Sequence, residues 1–278
     1  MAAQLVVDDL KVRFHTARRV VDAVRGVSFT VGREKVGIVG ESGSGKSTIA
    51  RAVLRLSPPQ AQVTAKTMRF QEIDLLASTE RQMLKVRGRR ISMIMQDPKF
   101  ALDPVMRVGD QIVEAIPADR RGNRVQDRER VLAMLDSVQI RDPARVFDLY
   151  PHEVSGGMGQ RIMIAMMLMP EPSLLIADEP TSALDVTVRM RVLAILDELA
   201  AQRHFGLIFI SHDLNLVASF CDRVLIMYAG RIVEECAASE MARAQHPYTR
   251  GLLASLPRVG DMRTRLPVLT RDPAWLSS

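Results

Sequence analysis

The chain has 278 residues, of which 47% are hydrophobic and 25% charged, and its formal net charge is +6. This composition is that of a folded globular protein and excludes a disordered chain. The longest apolar runs, such as "RIMIAMMLMP" and "RVLAIL", are too short and too often interrupted by arginine to cross a bilayer. The first residues, "MAAQLVVDDLKVRF", lack the basic start and apolar centre of a signal peptide, so we expect a cytoplasmic protein.

The predicted elements alternate between strands and helices after an opening β region. "LVVDDLKVRF" and "VRGVSFTV" alternate apolar and polar residues, as β-hairpins do, and "KVGIVG" is a short strand that leads through a Gly/Ser loop into the helical pattern of "KSTIARAVLRL". "RRISMIMQD" is again a strand, and the pattern from about 100 to 162 is helical. Buried-type strands follow in "SLLIAD", "GLIFIS" and "RVLIMYAG", separated by the helices "VTVRMRVLAILDELAAQ" and "LNLVASFC". This order predicts an α/β fold with a mainly parallel sheet, covered on both faces and interrupted by a helical insert.

Charge and cysteine content add little to this prediction. The basic clusters at 85–90 and 119–130 are candidates for contact with nucleic acid or anionic lipid, but few aromatic residues accompany them. A solvated surface explains each cluster on its own. Cys221 and Cys236 lack the spacing of metal ligands, so we interpret both as reduced packing residues.

The stretch "GESGSGKST" fits the pattern G-x-x-x-x-G-K-[S/T] between a predicted strand and a predicted helix, which is the context of a phosphate-binding loop. Its glycines allow successive backbone N–H groups to point at phosphates, and the helix N-terminus adds its positive end. Lys46 would reach the β- and γ-phosphates, and the Ser47 hydroxyl would help to hold Mg²⁺. The candidate nucleotide-binding residues are Gly40, Glu41, Ser42, Gly43, Ser44, Gly45, Lys46, Ser47 and Thr48.

A second candidate group ends the apolar strand in "LLIADEP". Asp178 and Glu179 follow this strand, where an acidic pair at the carboxyl end of a parallel strand is suited to a metal and a water. Asp178 would bind Mg²⁺, and Glu179 would orient and deprotonate the attacking water. A simple helix-entry cap is the alternative, but it does not explain two carboxylates at the end of a buried strand.

Several motifs, taken in order, resemble the ATP-binding subunits of ABC transporters. They are the phosphate loop at 40–48, "SGGMGQR" at 155–161, "LLIADEPTSALD" at 174–185, "ISHD" at 210–213 and the Q-loop-like "MIMQDP" at 93–98. The resemblance implies a P-loop NTPase (RecA-like) core with an N-terminal antiparallel β subdomain and a helical ABC insert. It also implies an ATP-binding domain over 1–240 with the insert at about 97–162, and a short C-terminal extension over 241–278.

Site roles transfer with the resemblance, one residue at a time. In this family two ATP-binding domains meet head to tail, so Ser155, Gly156 and Gly157 are expected to contact the γ-phosphate held by a partner domain. Asp185 would be the D-loop residue that contacts the other protomer. This arrangement makes the signature loop one half of a site that another chain completes.

The remaining roles belong to residues around the γ-phosphate and the base. Gln96 would sense Mg²⁺ and the attacking water, and His212 would hydrogen-bond the γ-phosphate. Phe14 stands where the family places an aromatic residue under adenine, although a strand residue of this kind also fits a core position. The expected catalytic residues are Glu179, His212 and Gln96, and the expected metal ligands are Ser47, Gln96 and Asp178.

Longer stretches resemble the oligopeptide, dipeptide and nickel importer subgroup, above all "HPYTRGLLASLP" at 246–257. The resemblance implies ATP and Mg²⁺ as cofactors, two transmembrane permease subunits, a second ATP-binding subunit (different or identical) and, indirectly, an external solute-binding protein. It also implies a peripheral place on the cytoplasmic face of the inner membrane. Some members carry a later cysteine cluster for an iron–sulfur centre, and no cysteine follows Cys236 here, so none is predicted.

The alternative hypothesis is a soluble ABC ATPase that acts on DNA or ribosomes. Only the basic charge favours it. Long coiled coils between the phosphate loop and the signature do not fit the short interval here, and a second domain of the translation-factor type is not present in the sequence. We therefore expect a motor subunit that couples ATP hydrolysis to import of peptides, nickel or a related small solute, with no nucleic-acid partner.

Overall fold

The structure is a computed structural model that describes residues 3–16, 19–96, 101–255, 272 and 275. Two compact units divide the chain: residues 1–77 with 209–278, and residues 78–208. The strands are β1 Leu5–His15, β2 Val20–Val31, β3 Lys35–Val39, β4 Ala61–Thr64, β5 Thr67–Phe70, β6 Ile73–Asp74, β7 Ile91–Ile94, β8 Leu174–Asp178, β9 Gly206–Ser211, β10 Arg223–Tyr228 and β11 Arg231–Ala237. The α-helices are α1 Lys46–Val53, α2 Glu80–Met83, α3 Val108–Glu114, α4 Arg124–Ser137, α5 Pro143–Phe147, α6 Gly156–Leu168, α7 Val186–Arg203, α8 Leu214–Phe220 and α9 Pro247–Ala254.

An antiparallel sheet built around β1 lies in the first unit. β1 pairs with β2 along one edge and with β4 and β5 along the other, and β6 continues beyond β5. A bulge with Asp9 at φ 50° shifts the register between Val7 and Leu10. Val7 and Leu10 are three positions apart, so in a regular strand their side chains would lie on opposite faces of the sheet. The bulge allows both side chains to be buried. The predicted N-terminal β subdomain is confirmed, but β4 to β6 were not predicted.

Buried strands of the predicted type form a second sheet region in the same unit. β3 pairs in parallel with β10, and β10 pairs antiparallel with β11. Both β3 and β10 are apolar and almost wholly buried, as expected for strands covered on two faces. The phosphate-loop sequence follows β3 directly and runs into α1, so this sheet region fixes where the loop begins.

The second unit combines a parallel strand pair with helices. β7 and β8 pair in parallel, from Ile91 opposite Leu174 to Ile94 opposite Ala177. The predicted insert, 97–162, contains α3, α4, α5 and the start of α6, and its first four residues lie outside the described residues. The buried apolar side chains of these helices include Val108, Ile112, Val131, Leu135, Val146 and Ile162, together with Met163 and Leu168 in the part of α6 beyond the insert.

Capping explains where the long helices of this unit begin. Asn123 starts α4 with a capping box, because its side chain accepts from the Gln126 amide while the Gln126 side chain accepts from the Asn123 amide. α7 begins after Asp185, whose side chain accepts from the Val188 amide at 3.0 Å. Within the described ranges, no helix is long and apolar enough to cross a membrane.

Candidate functional site

The phosphate loop bends through backbone conformations that favour glycine. Gly40, Gly43 and Gly45 have φ values of 156°, 80° and 104°. A Cβ at Gly40 would lie 2.2 Å from the carbonyl oxygen of Met227, and one at Gly45 would lie 2.5 Å from that of Ala23. Backbone atoms cannot yield as a side chain can, so glycine is required at 40 and 45 for both conformation and space.

Lys46 is held inside this loop rather than in solvent. It is only 5% exposed, and its Nζ donates to the carbonyl oxygens of Gly40 at 2.8 Å and Glu41 at 2.9 Å. A buried cation of this kind needs such acceptors, because desolvation disfavours the charged form. The loop therefore positions a positive charge at the N-terminus of α1, where the helix dipole already favours an anion.

The other candidate residues of the loop differ in exposure. Ser42 and Gly43 are exposed at its tip, and Ser47 and Thr48 are half-buried in the first turn of α1. Ser44 is buried, and its Oγ has no hydrogen-bond partner in the part of the chain that the structure describes. A buried hydroxyl with its capacity unused fits a loop that is shaped to receive a ligand.

A residue that sequence reasoning did not single out also reaches the loop. The Glu41 amide donates to the hydroxyl of Tyr248, with the two atoms 3.2 Å apart. Tyr248 belongs to the "HPYTRGLLASLP" stretch, whose last two residues lie outside the described residues. The stretch resembles a motif of the importer subgroup, but no local pattern in it indicates contact with a loop 207 residues earlier.

The acidic pair occupies the end of β8 in the second unit. Asp178 is the last residue of the strand and is 6% exposed, and Glu179 follows with φ 49°. A positive φ is uncommon for a glutamate and is typical of residues held under strain at functional positions. The Ser182 amide and hydroxyl donate to the Glu179 carbonyl at 3.3 and 3.1 Å, so a tight turn maintains this conformation.

Gln96 and Glu179, two of the predicted catalytic residues, are brought together in this unit. The Gln96 Nε2 donates to the Glu179 Oε2 over 3.4 Å. Gln96 is exposed two residues after β7, and β7 lies beside β8, which explains how residues so distant in sequence meet. The amide thus points at the carboxylate that is expected to act on water.

The signature residues begin α6. The Ser155 Oγ accepts from the Met158 amide at 3.3 Å, so Ser155 is the N-cap, and Gly156 and Gly157 form the first turn. An added Cβ at Gly156 would meet nothing within 4 Å, whereas one at Gly157 would lie 2.6 Å from the Val188 Cγ1. Gly157 therefore allows α6 to approach α7 closely, a reason that the sequence did not reveal.

Asp185 lies near the signature within the same unit. Its carboxylate caps α7 through the Val188 amide, and Val188 is the residue that faces Gly157. Leu184 lines the same open cavity as Ser155 and Gly156. The segment around Asp185 and the signature loop are thus neighbours, which is the arrangement that a shared contact surface requires.

The last two predicted residues, Phe14 and His212, are in the first unit. Phe14 is half-buried in β1, opposite Val21 of β2 and Ala61 of β4. His212 is exposed directly after β9, and the next residue, Asp213, caps α8 by accepting from the Leu216 amide at 3.0 Å. His212 is thereby presented between a strand end and a helix start.

Comparison with known proteins identifies the family of this chain. The family model described as ABC transporter matches residues 24–182, which include the phosphate loop, the signature and the acidic pair. The chain belongs to the ABC transporter family.

Relatives of this ATP-binding chain extend over almost its full length. It is 48% identical to the probable peptide ABC transporter ATP-binding protein y4tR of Sinorhizobium fredii (strain NBRC 101917 / NGR234), covering 95% of this chain and 81% of the relative. It is 45% identical to the dipeptide transport ATP-binding protein DppD of Bacillus subtilis (strain 168), covering 93% and 78%. Among solved structures it resembles the ATP-binding cassette MJ0796, dimeric and bound to ADP and Pi, with a TM-score of 0.72 and 24% identity, covering 84% of this chain and 98% of that one.

These findings confirm the predicted fold class and the family resemblance. The chain is an ATP-binding ATPase subunit of the ABC transporter type. The alternative of an ABC ATPase that acts on DNA or ribosomes is not favoured by these relatives, whose names are those of transport proteins.

Proposed function

We propose that this ATPase is the motor of an importer for peptides or a related small solute. The observation that supports this most directly is the high identity to peptide and dipeptide transport ATP-binding proteins over more than nine-tenths of the chain. Nickel, which the subgroup resemblance also allowed, is the less supported cargo. Residues 1–240 would form the ATP-binding domain, and 241–278 a short extension.

ATP would be held first by its phosphates. Backbone N–H groups of the loop from Gly40 to Thr48 and the start of α1 would bind the phosphate oxygens, and Lys46 would neutralise charge on the β- and γ-phosphates. To reach them, the Lys46 ammonium must share or exchange its contacts with the Gly40 and Glu41 carbonyls. Phe14 would stack under adenine.

Mg²⁺ would be held by Ser47, Asp178 and Gln96. These residues fit the ion because a hydroxyl, a carboxylate and an amide oxygen are all hard oxygen donors, and the nearly buried Asp178 carboxylate is placed by the end of a rigid strand. When bound, the ion would neutralise charge on the phosphates.

Hydrolysis would depend on Glu179. Its carboxylate would orient the attacking water and take up a proton from it, and the Gln96 amide, already directed at Oε2, would keep the carboxylate in place. The tight turn at 179–182 restricts the backbone that carries this group. His212 would donate a hydrogen bond to the γ-phosphate.

A second ATP-binding domain would complete the site. Ser155, Gly156 and Gly157 would contact the γ-phosphate on the partner's loop, and Asp185 would contact the partner protomer. The dimeric state of the cassette MJ0796 supports this arrangement. Closure on ATP and reopening after hydrolysis would then drive two permease subunits, with the chain peripheral to the cytoplasmic face of the inner membrane and an external binding protein delivering the solute.

Replacing Glu179 by glutamine tests the proposed chemistry. E179Q keeps the shape of the side chain but removes the base, so we expect ATP hydrolysis to fall at least ~100-fold, as for the loss of a general base, while ATP binding persists. Phosphate release measures ATP hydrolysis, and calorimetric titration measures ATP binding. The matched control is E198Q, since Glu198 is an exposed glutamate on α7 whose carboxylate accepts a hydrogen bond from the Gln202 side chain.

The same variant identifies the partners. Tagged E179Q, isolated from host membranes in Mg-ATP, is expected to carry two membrane subunits and a second ATPase, as read by mass spectrometry. Recovery of membrane subunits without another ATPase would instead indicate that two copies of this chain form the motor. Recovery with ribosomes or DNA and without a membrane protein would refute the importer.

A further inference from the structure

Hydrogen bonds in and around the first turn of α9 fix the position of Tyr248. The amides of Gln245 and His246 donate to the Glu234 Oε1 on β11, at 2.6 and 3.3 Å. His246 is the N-cap of the helix, and its Nδ1 accepts from the Tyr248 amide at 3.2 Å. Pro247 occupies the first helical position, where proline costs no hydrogen bond. Glu234 thus anchors the turn that carries Tyr248.

Aromatic packing fixes the ring of Tyr248 as well. The side chain is fully buried, and its ring centroid lies 4.5 Å from that of Tyr228 and 5.9 Å from that of Trp275. Tyr228 and Trp275 also contact each other edge to face at 5.6 Å. Aromatic groups at these separations and angles attract one another in addition to the burial of their area. The direction of the Tyr248 hydroxyl is therefore set by its surroundings.

The hydroxyl meets the phosphate loop at the residue whose carbonyl binds Lys46. The Glu41 amide donates to Tyr248 at 3.2 Å, and the Glu41 carbonyl accepts from the Lys46 Nζ at 2.9 Å and from the Ser44 amide at 3.1 Å. Both peptide groups of Glu41 are thus held, one by the C-terminal segment and one by the loop itself. Loss of the Tyr248 hydroxyl would weaken the hydrogen bonding of this half-buried amide and favour another loop conformation.

We propose that Tyr248 is a positioning residue of the nucleotide site, which sets the conformation of the phosphate loop through the Glu41 amide. The inference rests on the proposed binding of ATP phosphates by this loop. It makes the start of α9 a part of the ATP site, so that the subgroup's C-terminal motif acts on nucleotide affinity.

The variant Y248F tests this because it removes one hydroxyl and leaves the ring. We expect the KM for ATP to rise about 3- to 10-fold, the factor that one hydrogen bond of ordinary strength represents, while kcat changes less than about twofold. The melting temperature should change by less than about 4 °C, as for a small loss in a protein of this size. A purely structural defect would not separate KM from kcat in this way.

Y228F is the matched control. Tyr228 belongs to the same aromatic cluster and is nearly as buried, and over the residues that the structure describes its hydroxyl makes no hydrogen bond to the loop. We expect wild-type KM in this variant. An equal rise of KM in Y228F would overturn the proposal, because the effect would then come from the cluster and not from the Glu41 contact.

Amide hydrogen exchange without ATP supplies a readout that does not depend on hydrolysis. Peptides covering 38–45 should exchange faster in Y248F than in the wild type, whereas peptides covering 186–203 should not. Equal exchange of 38–45 in both proteins, or a wild-type KM in Y248F, overturns the inference and leaves the proposed function intact if the wild-type protein still binds ATP. Failure of the wild-type protein to bind ATP would instead remove the proposed function itself.

Discussion

Two glycine-containing loops of this chain use the same residue for different physical reasons. In the phosphate loop Gly40, Gly43 and Gly45 all have positive φ, and none is part of a helix. In the signature Gly156 and Gly157 lie in the first turn of α6, where any residue can adopt the backbone angles. Glycine is needed for conformation throughout the first loop, and at Gly40 and Gly45 for space as well, whereas in the signature it is needed only for space, at Gly157.

This difference predicts different consequences of adding a methyl group. A Cβ in a loop with positive φ strains the backbone whatever surrounds it, and the N–H groups that are proposed to bind the phosphates move with that backbone. A Cβ in a helix improves the local propensity and is harmful only where a neighbour occupies the space. Alanine substitutions therefore separate the two roles.

Gly45→Ala should have the largest effect. Gly45 combines φ 104° with a Cβ position 2.5 Å from the Ala23 carbonyl oxygen, so the loop must change conformation. We expect ATP affinity to fall ~100-fold or more, which corresponds to about 3 kcal/mol. Calorimetric titration with Mg-ATP measures it.

Gly88→Ala is the control for Gly45→Ala. Gly88 also has positive φ, 72°, but a Cβ there would meet nothing within 4 Å, and the residue lies far from the loop in sequence. Its substitution should lower stability by about 1 kcal/mol and leave ATP affinity unchanged. Similar affinities in the two variants would contradict the account of Gly45.

Gly157→Ala should have an intermediate effect that depends on one neighbour. The added Cβ would lie 2.6 Å from the Val188 Cγ1, and overpacking of this kind costs about 1–3 kcal/mol. Val188→Ala removes the obstructing methyl groups, so the double variant should recover most of the lost stability. Urea unfolding of both single variants and the double variant measures the coupling. Additive losses would show that space between α6 and α7 is not the reason for glycine.

The sequence predicted the phosphate loop because all its determinants are local. A strand, a nine-residue pattern and a helix follow one another without interruption, and the two glycines that the pattern fixes, Gly40 and Gly45, both have positive φ. Glu179 at the end of β8 was predicted for the same reason. Conformations and positions that depend on one segment alone can be predicted before the fold is known.

Contacts between residues that are distant along the chain could not be predicted from the sequence. The reason for Gly157 is Val188 on another helix, and the Tyr248 hydroxyl reaches Glu41 across 207 residues. β4 to β6 were missed for a related reason. They have only two to four residues each and are stabilised by pairing with β1 and with each other, so they are too short for a sequence periodicity to predict them.

Gly43→Ala and Gly156→Ala form the finest comparison, because neither added Cβ would meet an atom within 4 Å. Only backbone conformation distinguishes them. Gly43→Ala, at φ 80°, should lower the free energy of unfolding by about 1 kcal/mol, whereas Gly156→Ala, in α6, should raise it by up to ~1 kcal/mol. Urea unfolding without ATP measures both, and equal signs would refute the distinction. If Gly156 also contacts a partner's nucleotide as proposed, Gly156→Ala should hydrolyse ATP more slowly in the assembled transporter although it is more stable. The reason is that the space beside Gly156, which is open in the single chain, would then be occupied by the partner's nucleotide.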